Sequence, residues 1–393
     1  GFPIVSKIDD HTLQVTFPRP VGMGLRLFDS IPILPGSVLA RAYQEGKLSA
    51  AWGPTASPNV IVGLGPFRLK EYQRGIRVVL ERNPYYWKKD KSGQTLPYLD
   101  TIAFLIVPDR NAEALRFQTG EIDLLNSMNS ENYASMRRYE AQRNFTLRDL
   151  GPGLAVDFLW FNLNTRDTSS GRVDPEKRLL FESAEFRRGV SYALDRDGMT
   201  RSIWLGLGTP QHGPISSGNK AWYDGQLPRT EYNPDRAKEL LARLGLKDTD
   251  GDGVLEFGAR RRPLEIVLST ARGNVAREKT AQVIKDNLLK VGIRVHVQLV
   301  LPNELAARFL DSFDYEAILF GLTPTDVVPD LQTDLWYSSG SFHFWHPKQS
   351  KPQRSWEAEI DSLTCFPLAT SSLRMRKPTF VLPLPERPKI PTC

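Results

Sequence analysis

Residues 263–300 read PLEIVLSTARGNVAREKTAQVIKDNLLKVGIRVHVQLV, and this stretch decides the class of fold. Residues 263–269 are mostly apolar, which predicts a buried strand. Residues 275–291 repeat apolar side chains at helical spacing, and residues 293–299 alternate apolar and polar side chains, as in a strand with one wet face. A strand, a helix and a second strand in this order indicate an α/β protein with open sheets.

The same alternation continues on both sides of this stretch. Further strands are predicted at 12–16, 101–107, 122–125, 156–163 and 315–320, with a hairpin at 67–81, and helices are predicted at 111–119, 184–199, 234–244 and 303–310. Residues 202–215 are rich in glycine and proline, and we interpret them as a crossover between two α/β lobes.

The composition is that of a globular protein and excludes several classes. Of 393 residues, 40% are hydrophobic and 24% are charged, a normal balance for folded domains. The net charge of +6 comes from lysines and arginines spread along the chain, so nucleic acid is not an expected partner. No stretch approaches the roughly 18 apolar residues of a membrane span. The two cysteines, Cys365 and Cys393, form no C-x-x-C pair, which excludes a disulfide framework and a cysteine metal site.

Two loop motifs imitate ligand sites, and each has a plainer interpretation. Gly63-Leu64-Gly65 lacks the third glycine and the helix of a dinucleotide loop, so a tight turn is favoured. Residues 248–253 read DTDGDG and match the first half of a calcium loop. Ala259 stands where the bidentate glutamate belongs, although Glu256 could substitute for it. An Asp/Gly turn between a helix and a strand is the favoured interpretation.

Candidate catalytic and metal residues are few. His343 and His346 are three residues apart, but no Glu-x-x-His helix accompanies them and Pro347 stops a helix. The serines lack a Gly-x-Ser-x-Gly elbow. We therefore expect no catalytic residue, no bound metal and no cofactor.

Four stretches carry a family resemblance. They are GLGPFRL (63–69) with VLERNPYYW (79–87), LDTI (99–102) with GEID (120–123), Phe161-Asn162, and YALDR (192–196). In this order and at these spacings the chain resembles family 5 of the bacterial extracellular solute-binding proteins, the peptide- and nickel-binding group. The resemblance covers roughly residues 5–362.

The resemblance implies a two-lobed periplasmic-binding-protein-like α/β fold (type II, cluster C-like), incomplete at both ends, with ligand enclosed when the lobes close. Expected domains are a remnant of the N-terminal or extra subdomain (1–58), a first α/β lobe (59–210), a second α/β lobe (211–362) and an aberrant proline-rich tail (363–393). Six prolines in residues 366–393 predict a tail without regular structure.

The function implied by the resemblance is that of the substrate-binding component of an ABC importer. Such a protein captures a peptide or similar polar solute between its lobes and delivers it to a permease and an ATPase. The expected location is periplasmic or extracytoplasmic. Membrane association is expected only through the permease or through an anchor outside this fragment. The fragment itself shows no signal-sequence pattern. The alternatives are a solute sensor or a metal-binding protein with the same fold, and, less favoured, a hydrolase.

The expected ligand residues come from two arguments. The binding crevice of open α/β sheets lies at strand ends, which indicates Phe161, Asn162 and the loop after residue 320. Asn162 also combines a donor with an acceptor, as a peptide-like ligand requires. In that loop the resemblance implies that Asp326 meets the amino end of the ligand. The full set of expected ligand-binding residues is Phe161, Asn162, Trp222, Tyr223, Leu322, Thr325, Asp326 and Trp336, with the tryptophans and Tyr223 forming an aromatic wall.

Overall fold

The structure is a computed structural model that describes residues 3–9, 12–17, 33–107, 109–164, 173–324, 333–365 and 379–383. Its strands are β1 (Ile4–Asp9), β2 (Thr12–Thr16), β3 (Phe67–Gln73), β4 (Arg77–Arg82), β5 (Thr101–Leu105), β6 (Val156–Phe161), β7 (Glu256–Phe257), β8 (Arg262–Pro263), β9 (Glu265–Ala271), β10 (Arg294–Val300), β11 (Ala317–Leu322) and β12 (Thr379–Pro383). Its α-helices are α1 (Gly36–Gln44), α2 (Leu48–Ala51), α3 (Arg110–Gln118), α4 (Ser130–Arg137), α5 (Pro175–Glu182), α6 (Ala184–Ala193), α7 (Arg196–Ile203), α8 (Pro234–Arg243), α9 (Val275–Leu289), α10 (Pro302–Ala307), α11 (Thr333–Trp336) and α12 (Ser355–Cys365). In this part of the chain, no helix has the length and apolar character needed to cross a bilayer.

The chain divides into two compact units. The N-terminal unit comprises Gly1–Leu125 with Ser372–Cys393, and the central unit comprises Asn126–Ser371. The N-terminal unit contains two three-stranded sheets, ordered β1-β2-β12 and β3-β4-β5. The central unit contains a four-stranded sheet, ordered β10-β9-β11-β6, and the short ribbon β7-β8. The α/β class predicted from the sequence is confirmed.

The predicted hairpin of the N-terminal unit is confirmed as β3 and β4, which pair antiparallel from Phe67–Arg82 to Gln73–Arg77. Its turn contains Gly75 with a φ of 73°, a left-handed conformation that suits glycine. The strand predicted at 122–125 is wrong, since these residues form no strand. Leu124 is 78% exposed, so this short run has no buried face to stabilise a strand.

The proline-rich tail also differs from the prediction. Thr379–Pro383 forms β12, which pairs antiparallel with β2. β12 lies at an edge of its sheet, where proline is tolerated because one side of the strand needs no backbone donor. The prediction of a tail without regular structure is therefore wrong for these five residues, and the rest of the tail after Cys365 lies outside the described residues.

The four-stranded sheet forms the centre of the central unit; β6, β9 and β11 pack against a core on each face, whereas β10 has one exposed face. β9 pairs parallel with β10 and β11, whereas β6 pairs antiparallel with β11. Successive side chains point to opposite faces. Phe161 and Leu319 pack in the core beneath α6 and α9, while Trp160 and Ile318 pack in a second core with Phe309.

This sheet corrects the predicted lobe boundary. We expected residues 59–210 and 211–362 to form separate lobes, but β6 pairs with β11 along its whole length. The compact units divide at Leu125 and Asn126 instead. The apolar sequence of β6 predicts a buried strand, but it carries no information about which distant strand completes its hydrogen bonds.

One predicted helix is in fact two. Residues 184–199 form α6 and the beginning of α7, and the break falls at Leu194, whose ψ is 115°. Asp195 then caps α7 by accepting a hydrogen bond from the Gly198 amide at 2.7 Å, because aspartate competes for backbone donors at helix starts. The Asp195 amide donates to the Asn287 side chain of α9 at 2.8 Å, which fixes the break against the next helix.

Candidate functional site

The strands of the central sheet bring several loops to one edge. The parallel strands β9, β10 and β11 end at Ala271, Val300 and Leu322. Because β6 is antiparallel, its first residue, Val156, lies opposite Leu322. We call this side of the sheet the carboxyl edge. Ligands of open α/β sheets bind at the carboxyl ends of strands, so this edge is the candidate site.

An ion pair between Asp157 and Arg277, called the edge pair below, lies at the carboxyl edge. Arg277 donates from Nη2 and Nε to Asp157 Oδ1 at 2.8 and 3.2 Å. The guanidinium also lies 5.3 Å from the centre of the Phe320 ring, within cation–π distance. The Arg277 side chain is only 14% exposed, so solvent screens this pair less than an open surface pair.

The local sequence explains how Arg277 reaches this position. Asn274 caps α9 and accepts a hydrogen bond from the Arg277 amide at 3.1 Å, which places Arg277 in the first turn next to the sheet edge. Gly321 lies opposite Asp157 in the strand register. A side chain at Gly321 would collide with Asp157 Oδ1 and Arg277 Nη2, so the edge pair requires glycine there.

A second cation at this edge is exposed. Arg272 directly follows β9, and its side chain faces solvent. Its amide donates to the Val300 carbonyl at 2.8 Å, which joins the ends of β9 and β10. The carboxyl edge therefore offers one shielded and one accessible guanidinium.

The loop at 216–223 packs beside the same edge. Ser216 donates from Oγ to the Gly153 carbonyl at 2.5 Å, three residues before β6 begins. The Asn219 carbonyl accepts from the amides of Trp222 and Tyr223 at 3.1 and 2.9 Å. Trp222 and Tyr223 are 47% and 37% exposed. These two expected wall residues therefore belong to a loop anchored beside the start of β6.

Three expected residues do not belong to this edge. Phe161 and Asn162 follow the opposite end of β6, where Phe161 pairs with Ala317, the first residue of β11. We expected the ends of β6 and β11 to coincide, and this is wrong because the two strands are antiparallel. Trp336 packs 6.0 Å from Trp345, whose carbonyl accepts from the Leu163 amide, so it also lies towards the β6 end.

The interactions of Phe161 and Asn162 are structural. The Phe161 ring stacks on Phe181 at 4.8 Å. Asn162 Nδ2 donates to the carbonyls of Phe313 and Tyr315 at 2.9 and 2.8 Å. Its Oδ1 accepts from the Asn164 amide at 3.0 Å. These contacts use the donor and acceptor atoms that we expected a ligand to meet.

The remaining expected residues lie on the loop after β11. Leu322 ends that strand opposite Val156 and is at the carboxyl edge. Thr325 and Asp326 lie outside the described residues. The residues that sequence reasoning missed are Asp157, Arg277 and Arg272. An aspartate inside the apolar run VDFLWF was a usable signal, since a carboxylate in a buried strand needs a partner.

The calcium-like loop forms a turn between α8 and β7. Carboxylate oxygens of Asp248, Asp250 and Glu256 lie within 4.8 Å of one another. Asp248 accepts from the amides of Gly251 and Gly253 at 2.7 and 2.9 Å. Glu256 accepts from the Thr249 hydroxyl at 2.6 Å. Hydrogen bonds within the loop thus account for its carboxylates, as the turn interpretation expects.

The family comparison agrees with this fold. Residues 3–344 match the model of the bacterial extracellular solute-binding proteins, family 5. The fold is similar to those of a solved oligopeptide-binding protein and a solved periplasmic binding protein. The chain belongs to family 5 of the bacterial extracellular solute-binding proteins, as the sequence resemblance predicted.

Individual relatives are longer than this chain. A probable ABC transporter-binding protein of Deinococcus radiodurans is 30% identical over 81% of this chain and 55% of its own length. The oligopeptide-binding protein AppA of Bacillus subtilis, solved with a nonapeptide, has a TM-score of 0.66 and 26% identity over 92% of this chain and 68% of that one. The binding protein MelB of Agrobacterium fabrum, solved with stachyose, has a TM-score of 0.73 and 26% identity over 92% of this chain and 56% of that one. The chain thus spans about half the length of the curated relatives that it matches.

Proposed function

We propose that this chain is part of the substrate-binding component of an ABC importer, which captures a peptide or a similar polar solute outside the cytoplasm. The observation that carries the proposal is the carboxyl edge, where Arg272 and the edge pair lie at the ends of parallel strands and the loop of Trp222 and Tyr223 is anchored beside the start of β6. Membership of a solute-binding family supports it. The permease and the ATPase would be its partners.

The chemistry of the edge suits a polar solute with an anionic or carbonyl group. Arg272 presents several donors in a planar fork, which pairs well with a carboxylate. Trp222 and Tyr223 present partly exposed rings that can cover the apolar part of a peptide or the face of a sugar. Arg277 is already engaged by Asp157, so its role would be to hold the edge rather than to meet the solute. We further propose that Asp326 provides a carboxylate for a cationic group.

The test is calorimetric titration of the 393-residue chain with a panel of peptides of two to nine residues and with stachyose. The starting panel follows the ligands of the solved relatives. Binding of a panel peptide is expected to weaken by about tenfold or more in Arg272→Ala, because a charge-assisted hydrogen bond contributes about 1.5–3 kcal/mol. The matched control is Arg243→Ala, which removes an exposed arginine from the last turn of α8. Unchanged affinity in the Arg272 variant, or equal losses in both variants, would contradict the proposed site.

Stachyose binding without peptide binding would keep the edge as a site and change the ligand class to a sugar. In that case Trp222→Ala should weaken binding more than Arg272→Ala, because rings and not charges hold sugar faces. No binding of any panel member by the folded chain would contradict the proposed capture function.

A further inference from the structure

A polar groove of about 360 Å³ lies on the outer face of α6. Its lining residues are Ala184, Arg187, Arg188, Ser191, Tyr192 and Thr230. The first five follow one another at steps of three and one residues, so they share one face of the helix. The opposite face of α6 carries Phe186, Val190 and Ala193, which are buried in the core. The groove therefore faces away from the core, and none of its described lining residues belongs to the carboxyl edge.

Thr230 forms the other wall of the groove. It lies on the segment that leads into α8, and the Asn233 amide of this segment donates to the Tyr192 carbonyl at 2.8 Å. Leu241 of α8 also belongs to the same core as α6. Both walls are therefore held in place by the fold, and a ligand would find its donors already arranged.

Arg187 is a fixed cation in this groove. Its Nη1 donates to the Phe181 carbonyl at 2.6 Å, which holds the guanidinium beside the end of α5. Glu182 is already engaged by Arg354 at 3.0 Å and by Arg178 at 3.8 Å, and Arg187 makes no ion pair within the described part of the chain. Burial and the nearby charge of Arg354 lower the pKa of Arg187, but an arginine keeps its proton in proteins. The charge of Arg187 is therefore not neutralised by the protein.

Two more arginines add positive charge next to Arg187. Arg188 is exposed, and its side chain makes no hydrogen bond or ion pair with a described residue. Arg196 donates from Nη1 to the Ser191 carbonyl at 2.9 Å and from Nη2 to Ser191 Oγ at 2.8 Å. Because Ser191 Oγ accepts from Arg196, its own proton is left to donate into the groove.

The remaining polar groups of the groove are also donors. Tyr192 and Thr230 are half-buried, and their hydroxyl groups have no hydrogen-bond partner among the described residues. The lining thus combines two guanidinium groups with three hydroxyl groups and contains no carboxylate. The neighbouring acidic residues Glu185 and Glu231 are outside the lining. Such a set of donors suits a ligand whose atoms only accept hydrogen bonds.

We propose that this groove binds a phosphate-sized oxyanion, either free phosphate or the phosphate group of a small phosphorylated molecule. Arg187 and Arg188 would donate to its oxygens through their planar forks, and the hydroxyl groups would donate to the oxygens that remain. A tetrahedral oxyanion presents acceptors on every side, so it can meet α6 on one wall and Thr230 on the other. The volume of about 360 Å³ lies within the range of small-molecule sites and leaves room for a group attached to the phosphate.

The test is calorimetric titration of the folded 393-residue chain with inorganic phosphate, together with melting temperatures measured in phosphate and in chloride at equal ionic strength. Saturable binding with a Kd of about 1 mM or below is expected. Phosphate should then raise the melting temperature more than chloride does, because it binds the folded state selectively. Absence of saturable binding, or equal melting temperatures in the two salts, would overturn the proposal.

Variants locate the binding. Arg188→Gln should weaken phosphate binding by about tenfold or more, because it removes a charge-assisted hydrogen bond, and the exposure of Arg188 allows this variant to fold. Arg243→Gln is the matched control, since Arg243 is also an exposed helical arginine and is outside the lining. Equal affinities of these two variants would overturn the site.

A second titration with glycerol phosphate distinguishes the two sources of the oxyanion. Tighter binding than that of inorganic phosphate, with the same loss in Arg188→Gln, would identify a phosphorylated molecule as the ligand. Equal or weaker binding would identify free phosphate. The panel peptides of the solute-capture test are not used here, so failure of either proposal leaves the other standing.

Discussion

Replacing Asn162 by alanine should destabilise the central unit strongly. The side chain is 3% exposed, donates to the carbonyls of Phe313 and Tyr315 at 2.9 and 2.8 Å, and accepts from the Asn164 amide at 3.0 Å. Each such hydrogen bond contributes about 1 kcal/mol net, and its loss leaves a buried group without a partner. The three together give a loss of about 3 kcal/mol in the free energy of unfolding, or about 6–12 °C in melting temperature for a unit of this size.

The assay is urea unfolding followed by tryptophan fluorescence, with Trp160 buried in the neighbouring core. Asn162→Asp should be still less stable, because one carboxylate oxygen would face two carbonyl oxygens. Asn233→Ala is the control: Asn233 is exposed and caps α8 through one hydrogen bond to the Arg236 amide, for which a loss of about 1 kcal/mol is expected. If Asn162→Ala costs no more than Asn233→Ala, the assignment of Asn162 to the framework of the sheet is refuted.

Three further changes test other parts of the structure. Gly321→Ala should separate the edge pair and lower stability by about 1–3 kcal/mol, and an unchanged urea midpoint would contradict this. Gly292→Ala should destabilise more than Gly245→Ala, because both glycines have positive φ but only the first would collide with a leucine side chain; equal urea midpoints would refute the steric part. A hydrogen bond from Arg262 lowers the pKa of Asp174 to about 2. The ionised Asp174 therefore stabilises the folded state above about pH 4, and this stabilisation is lost as the pH falls through about 2. Between these pH values the free energy of unfolding should fall less in Asp174→Asn than in the wild-type chain.

Much of the fold follows from local sequence periodicity. Residues 263–300 form β9, α9 and β10 nearly where the alternation of polar and apolar residues predicts them. The hairpin at 67–81 and the helix from 234 are equally local, since turn glycines and capping residues mark their ends. These signals are contained within a few turns of chain, and the sequence therefore displays them directly.

The errors concern features that no local pattern records. The direction of β6 depends on its partner β11, which lies far along the chain. Because β6 is antiparallel to β11, Phe161 and Asn162 lie away from the carboxyl edge, and Asp157 lies at it. The partner of Asp157 could not be identified in advance either, because Arg277 is one of many charged residues on its helix.

The pairing of β6 with β11 also sets the order in which a newly made chain can fold. The segment Val156–Phe161 is synthesised long before Ala317–Leu322. Until the later segment is made, the backbone groups of the earlier one lack their partners in the sheet. An apolar strand with unpaired edges is prone to associate with other chains during such a delay. The charge of Asp157 interrupts this run and would oppose association in the waiting chain. Asp157, which pairs with Arg277 in the folded protein, would thus also reduce aggregation of the incompletely folded chain.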